Sequence, residues 1–309
     1  MNNKKVPYMY ITGANHSGST LLTFLLNAHP QMMSIHEVGG PIPKVNIKKY
    51  QCSCGTLLLQ CPFYLELERH INSLGSSFSL LNWQTRFQIS NYRWLNIPLV
   101  RPLRNVFLER IRDTLVPIWP GYRKLIGLIG QRNAHLARAA LAISGKQVFV
   151  DSQKDSIRIK FLKECDNLDL YVIHLVRDVR GGVVSIMKAS NTDNVAWATR
   201  IWNTANMNSE RSRQYVSPSR WLRLTYDELC ADVQGTIDRI SDFVGLERAT
   251  VPKNFYETAH HIIGNRMRLR RSSEIRQDDS WKKRLNQHDL DIIAQIGGAE
   301  NRYFGHKWP

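Results

Sequence analysis

The chain has 309 residues, of which 43% are hydrophobic and 22% charged, a balance that supports a folded core and excludes a disordered chain. Lys plus Arg number 42 against 26 for Asp plus Glu, a formal net charge of +16. That excess is larger than solubility needs and points to a polyanionic partner: nucleic acid, an acidic membrane surface or a phosphorylated small molecule.

No stretch reaches the roughly 18 uncharged apolar residues of a membrane span. The most apolar region, 115–129, is broken by Pro117, Pro120, Arg123 and Lys124. The N-terminus runs straight into a β-prone segment without an apolar core and cleavage site, so a cytoplasmic location is expected.

In chain order, Val6–Thr12 predicts a strand ending at Gly13, and 21–26 a helix. Residues 51–145, rich in Trp, Tyr, Arg and Leu, predict a mainly helical insertion that caps the sheet's active edge and shapes a pocket. Residues 147–150 predict a second strand, running through Asp151-Ser152-Gln153-Lys154 into a helix with Ile157, Phe161 and Leu162. Residues 170–176 are nearly all apolar, as a strand buried on both faces should be; Arg177-Asp178 and a helical 181–187 follow. Trp221–Thr225 predicts a fourth strand. One helix over 226–244 follows, its apolar positions Leu229, Val233, Ile237, Ile240 and Val244 at helical spacing. The tail 260–284 has little periodicity and reads as a basic lid, with eight Lys or Arg between Arg266 and Arg284. The alternation predicts one α/β domain over 1–309, a central parallel sheet flanked by helices in three layers.

The segment Gly13-Ala-Asn15-His16-Ser17-Gly18-Ser19-Thr20 follows a strand and opens a helix. A helix N-terminus presents unpaired amides and a positive dipole end. Glycines let the backbone approach an anion closely, and Ser17, Ser19 and Thr20 add hydroxyls. The spacing is that of the nucleotide-binding G-x-x-x-x-G-K-[ST] loop, but Ser19 replaces the lysine that bridges the β- and γ-phosphates of a nucleoside triphosphate. This argues against a P-loop kinase or nucleotide hydrolase and leaves a loop suited to a single phosphate. An ordinary glycine turn is the bland alternative.

A second candidate anion site is Arg177-Asp178-Val179-Arg180 through Ser185. Paired with the first loop, it resembles the sulfotransferases that use 3′-phosphoadenosine-5′-phosphosulfate (PAPS). Asn15 to Leu22 is similar to that family's P-[KR]-S-G-T-T-x-L phosphosulfate loop, and Arg177 to Ser185 to its R-[DN]-P-R-[DG]-x-x-x-S 3′-phosphate motif, with Val179 where proline is usual. Asp151 to Lys154, Leu224-Thr-Tyr226-Asp227-Glu228-Leu229, Phe243 to Leu246, Gly264-Asn265-Arg266-Met-Arg268 and Asp279-Ser-Trp281 look like further motifs of its bacterial and carbohydrate-type branches. The resemblance implies a P-loop-like fold, sulfuryl transfer from PAPS to a hydroxyl or amine acceptor, and a nucleotide held by Asn15, His16, Ser17, Gly18, Ser19, Thr20, Arg177, Ser185, Tyr226, Gly264, Asn265, Arg266 and Arg268.

Charge develops on the leaving phosphate's bridging oxygen, so a cation or donor belongs there. The family carries lysine or arginine where His16 stands, and a protonated His16 would serve; Lys154 is a candidate for contact with the transferred sulfuryl group, with a surface lysine as the alternative. Glu37 is the expected general base, with His36 as the alternative. Cys52, Cys54 and Cys61 place three thiols in ten residues, but zinc wants a fourth ligand and His70 lies too far along to supply it. A similar stretch in part of this branch looks structural, and the transfer itself calls for no metal. Trp83, Tyr92, Trp94, Trp119 and Tyr122 suit a sugar ring, an apolar alcohol or a helical core. A basic nucleic-acid-binding protein is the rival from another class, but the cations gather around two motifs and a tail rather than along a groove.

Overall fold

The structure is a computed structural model that describes residues 4–41, 45–88, 93–103, 105–258, 260–264, 266–269 and 274–308. Five strands, β1 (Val6–Thr12), β2 (Met32–His36), β3 (Val148–Lys154), β4 (Leu168–Val176) and β5 (Trp221–Thr225), form one parallel sheet in the order β2-β3-β1-β4-β5. β1 is central and buried on both faces. Tyr8 and Tyr10 point to one side and join Phe149 and Phe161; Met9 and Ile11 point to the other and join Leu22, Leu25 and Ile173. This alternation is the period-2 geometry of a strand sandwiched between helical layers.

α1 (Ser19–Ala28) follows β1. The insertion carries α2 (Pro62–Ser73), α3 (Arg93–Val100), α4 (Val106–Leu115) and the long α5 (Pro120–Ser144). α5 packs along α2 and against β1, β2 and β3, so the insertion builds one covering layer of the sheet. Trp83 and Tyr122 are core residues there, Trp94 and Trp119 are exposed, and Tyr92 lies outside the described residues. α6 (Arg158–Lys163) follows β3, and α7 (Val179–Ser190) and α8 (Val195–Arg211) follow β4.

The helix expected over 226–244 is two helices, α9 (Tyr226–Ala231) and α10 (Val233–Val244). Asp232 leaves helical geometry at φ −141° and its carboxylate accepts the Gly235 amide, capping α10. The short α11 (Trp281–Arg284) and α12 (Gln287–Tyr303) close the chain; α12 starts at a capping box, Asn286 with Asp289. Between them and α10, Ile263 donates its amide to the Ile35 carbonyl at 3.0 Å and forms a single parallel bridge with His36, which brings the tail to the open edge of β2. Among the described residues no helix is long and apolar enough to cross a membrane.

Candidate functional site

From β1 the chain proceeds to β2 and β3 on one side, then crosses to β4 and β5 on the other. The carboxyl ends of β1 and β4 therefore flank a switch point, where open α/β sheets bind ligands. The 13–18 loop leaves β1 there, and Arg177 leaves β4 beside it.

The loop is held from outside. Asn206 of α8 accepts the Ala14 amide at 3.2 Å, and the Thr12 and Ser209 hydroxyls lie 2.9 Å apart. Gly18 caps α1 at φ 93°, and a Cβ there would overlap the Tyr226 ring, so both conformation and space require glycine. Ser17, Ser19 and Thr20 are buried and Asn15 is exposed. Ser17 Oγ, in a residue only 2% exposed, has no hydrogen-bond partner. An unsatisfied buried hydroxyl costs about 1–3 kcal/mol; here it stands at a helix start whose first amides also lack helical partners. An anion with several oxygens fits that cradle.

Arg177 joins the two motifs. Its Nη1 donates to Ser185 Oγ at 3.0 Å and to the His16 carbonyl at 3.3 Å, and its guanidinium lies 4.8 Å from the centre of the Tyr226 ring. Its Nη2 donates to Asp278 Oδ2 at 2.8 Å, so a carboxylate occupies the position suited to a phosphate. The turn that aims Arg177 is built by distant residues. Trp202 Nε1 donates to the Arg177 carbonyl at 3.0 Å, Asp178 accepts the Arg180 amide, and buried Asn301 accepts the Val179 amide at 2.9 Å. The last bond accounts for the departure from proline: valine carries the amide that Asn301 fixes, and proline has none. The turn opens into a cleft of about 900 Å³ lined by Arg177, Arg180, Tyr226, Asp278, Trp281 and Trp308. Arg180 sits over both indoles, at 4.2 Å from Trp281 and 5.4 Å from Trp308.

On the other side of the loop lie the catalytic candidates. His36 is fully buried at φ 74°. Its Nε2 is 3.3 Å from Thr20 Oγ1, and its Nδ1 contacts Thr23 Oγ1 at 3.1 Å and Ser152 Oγ. With both ring nitrogens engaged, His36 has no free face for an acceptor; it props the loop through Thr20. Glu37 is half-buried, with Oε1 4.0 Å from His36 Nε2. Burial raises its carboxyl above the usual range, while Lys154 and Arg86 oppose that. Lys154 ends β3 at φ 65°, and its ammonium has no hydrogen-bond or ion-pair partner among the described residues. Burial lowers its pKa and the Glu37 charge opposes the shift.

His16 differs from the sequence expectation. Burial, then Lys154 and Arg177, lower its pKa, which disfavours the protonated imidazole in the free protein. Arg268 differs too. It donates to the Gln51 carbonyl at 3.0 and 3.1 Å and to the Gly264 carbonyl at 2.6 Å, and lies over the Tyr50 ring; these contacts brace the tail rather than reach the nucleotide cleft. Gly264 packs over His36 and Glu37: a Cβ there would lie 2.8 Å from His36 Cδ2 and 3.0 Å from Glu37 Cδ. Asn265 and the Arg266 side chain lie outside the described residues.

The sequence reading missed Asp278, one residue before the Asp279 it singled out, and also Asn206, Asn301 and Trp308. Asp151 is structural. It accepts from Tyr8 Oη at 2.7 Å and Arg158 Nε at 2.9 Å and is fully buried. The three thiols acquire a partner that spacing could not supply, His261, whose ring nitrogen completes a group of four ligand atoms within 4.8 Å of one another.

Residues 169–250 match the model of the sulfotransferase family. Among solved structures, the chain is similar to the sulfotransferase domain of the Synechococcus PCC 7002 olefin synthase, at 20% identity and TM-score 0.55 over 100% of this chain and 98% of that one. It is also similar to the sulfotransferase domain from the curacin biosynthetic pathway, at 14% identity and TM-score 0.53 over 99% and 100%. Comparison with curated proteins gives no match. The matched segment contains Arg177 and Ser185, and the fold is that of these sulfotransferase domains.

Proposed function

We propose that the chain is a PAPS-dependent sulfotransferase that transfers a sulfuryl group to a hydroxyl or amine acceptor, a carbohydrate or small alcohol, with Glu37 as general base; the family match and the fold support this reading. The observation that carries this reading is the join between the two motifs: Arg177 bonds at once to Ser185 and to the His16 carbonyl of the loop. One nucleotide with an anion at each end therefore spans the cradle and the arginine.

PAPS supplies an activated sulfuryl group on a phosphate leaving group. Loop amides with Ser17, Ser19 and Thr20 hold the 5′ end. Arg177 and Ser185 would hold the 3′-phosphate. Glu37 takes the proton from the acceptor oxygen as that oxygen bonds to sulfur. The electron pair of the breaking S–O bond stays on the phosphate, where Lys154 stabilises it. His16 donates a hydrogen bond to the leaving phosphate. None of these steps calls for a metal.

Calorimetric titration with adenosine 3′,5′-bisphosphate and with ATP tests the nucleotide assignment. The bisphosphate should bind without magnesium and ATP should bind far more weakly; the reverse order overturns it. Glu37→Gln should retain the bisphosphate while turnover falls about 10²–10⁴-fold. Because its carboxyl is raised, the acid limb of the wild-type rate should have its midpoint above the ordinary carboxylate value of 4.5. The rate should rise with pH through that point and stay level across the imidazole range. A midpoint unmoved by the identity of residue 37 assigns the proton to another group.

A further inference from the structure

Away from the transfer site, three cysteines and a histidine converge from three segments. Cys52 and Cys54 flank a tight turn in which Cys52 exchanges backbone bonds with Gly55 and Thr56. Cys61 precedes Pro62 at the start of α2. His261 comes from the tail, some 200 residues away in sequence. The spacings are Cys54 Sγ to Cys61 Sγ 3.7 Å, Cys61 Sγ to His261 Nδ1 3.4 Å, and Cys52 Sγ to His261 Nδ1 3.8 Å.

These are three of the six edges of a coordination tetrahedron, and the other three are no longer than 4.8 Å. With Zn–S near 2.3 Å and Zn–N near 2.0–2.1 Å, tetrahedral angles place sulfurs about 3.8 Å apart and sulfur and nitrogen about 3.5 Å apart. From this match we propose that Cys52, Cys54, Cys61 and His261 Nδ1 bind one zinc ion. The surroundings fit a built site. His261 stacks on Phe63 at 4.4 Å and 6°, and Tyr64 Oη donates to its carbonyl at 2.6 Å, fixing the ring. The Thr56 hydroxyl lies 2.8 Å from Cys54 Sγ, as an outer-shell donor to a thiolate does. Cys52 and Cys61 are fully buried and Cys54 is exposed, which leaves a route for the ion.

All four positions are protein ligands, so the ion is structural and holds no open site for substrate. Binding releases three thiol protons and takes the imidazole neutral. The clip joins the 52–61 segment to residues 260–264. Ser53 reinforces the junction: its amide donates to the Ile262 carbonyl at 3.1 Å, and its hydroxyl accepts the Ile262 amide at 2.8 Å. Ile263 then bridges His36 and Gly264 covers Glu37. The metal thus fixes how the tail seats on the base.

Elemental analysis of the intact protein, purified without chelator, should find about one zinc per chain. Cys54→Ser and His261→Gln should lose most of it, and Cys230→Ser should retain it. Cobalt added to chelator-treated wild type should give the thiolate charge-transfer band and strong visible bands of a tetrahedral site, a readout that does not depend on any variant folding. Wild type that lacks zinc and gives no cobalt spectrum overturns the proposal. So does a Cys54–Cys61 disulfide found by mass spectrometry in the freshly purified protein. Neither result bears on nucleotide binding, which the bisphosphate titration tests separately.

Discussion

The two proposed anion pockets would do the same job with different materials. The pocket after β1 is backbone: helix-start amides, a glycine forced by its φ and by the Tyr226 ring, and small hydroxyls without charge. The pocket after β4 is side chain: one guanidinium, aimed by Trp202, Asn301 and Ser185 and already paired with Asp278. A backbone pocket is as rigid as the turn that makes it and has little charge for salt to screen. A side-chain pocket is adjustable, is charged, and carries its own counter-ion.

Substitutions can break that contrast. The largest effect should come from Gly18→Ala, where strain at positive φ and overlap with Tyr226 together cost about 2–4 kcal/mol, or roughly 30- to 1,000-fold in bisphosphate affinity; calorimetry checks it, and an unchanged affinity removes the loop from the site. Arg177→Ala should weaken the same ligand by about 10- to 100-fold, the worth of a charge-assisted hydrogen bond, and should flatten the salt dependence of binding. Ser17→Ala should lower affinity only about fivefold while thermal stability holds or rises, because an unsatisfied buried hydroxyl has been removed. A fall in stability would mean that the hydroxyl serves the fold. Asp278→Asn should be the smallest and opposite in sign. Affinity should tighten about threefold, since Asp278 is partly exposed and its pairing is screened.

The pocket after β1 was legible in sequence because it is local: a strand, two glycines five residues apart and a helix specify it. Arg177 to Ser185 was legible for the same reason. What the sequence reading missed lies far along the chain from the groups it serves. Asn206 and Asn301 read as ordinary helix residues until the fold sets them against the two turns. Met32–His36 is short, and its polar Ser34 and His36 are buried like its apolar residues, so it did not stand out as the strand that carries His36 to the loop. Arg268 sits within a basic cluster but is committed to two backbone carbonyls. His261 finds its thiols only through the bridge at Ile263. The α12 start did carry a local sign, the Asn286–Asp289 box, and the break at Asp232 followed from a side chain that competes with the helix for its own backbone.

The Asp278 carboxylate on Arg177 has a kinetic consequence. A nucleotide reaching this arginine displaces an intramolecular rival, and after the reaction the rival is still tethered a few ångströms away, ready to reclaim the guanidinium. Product departure is then an exchange rather than a bare dissociation, and the variant that grips its ligand harder should be the one that turns over more slowly.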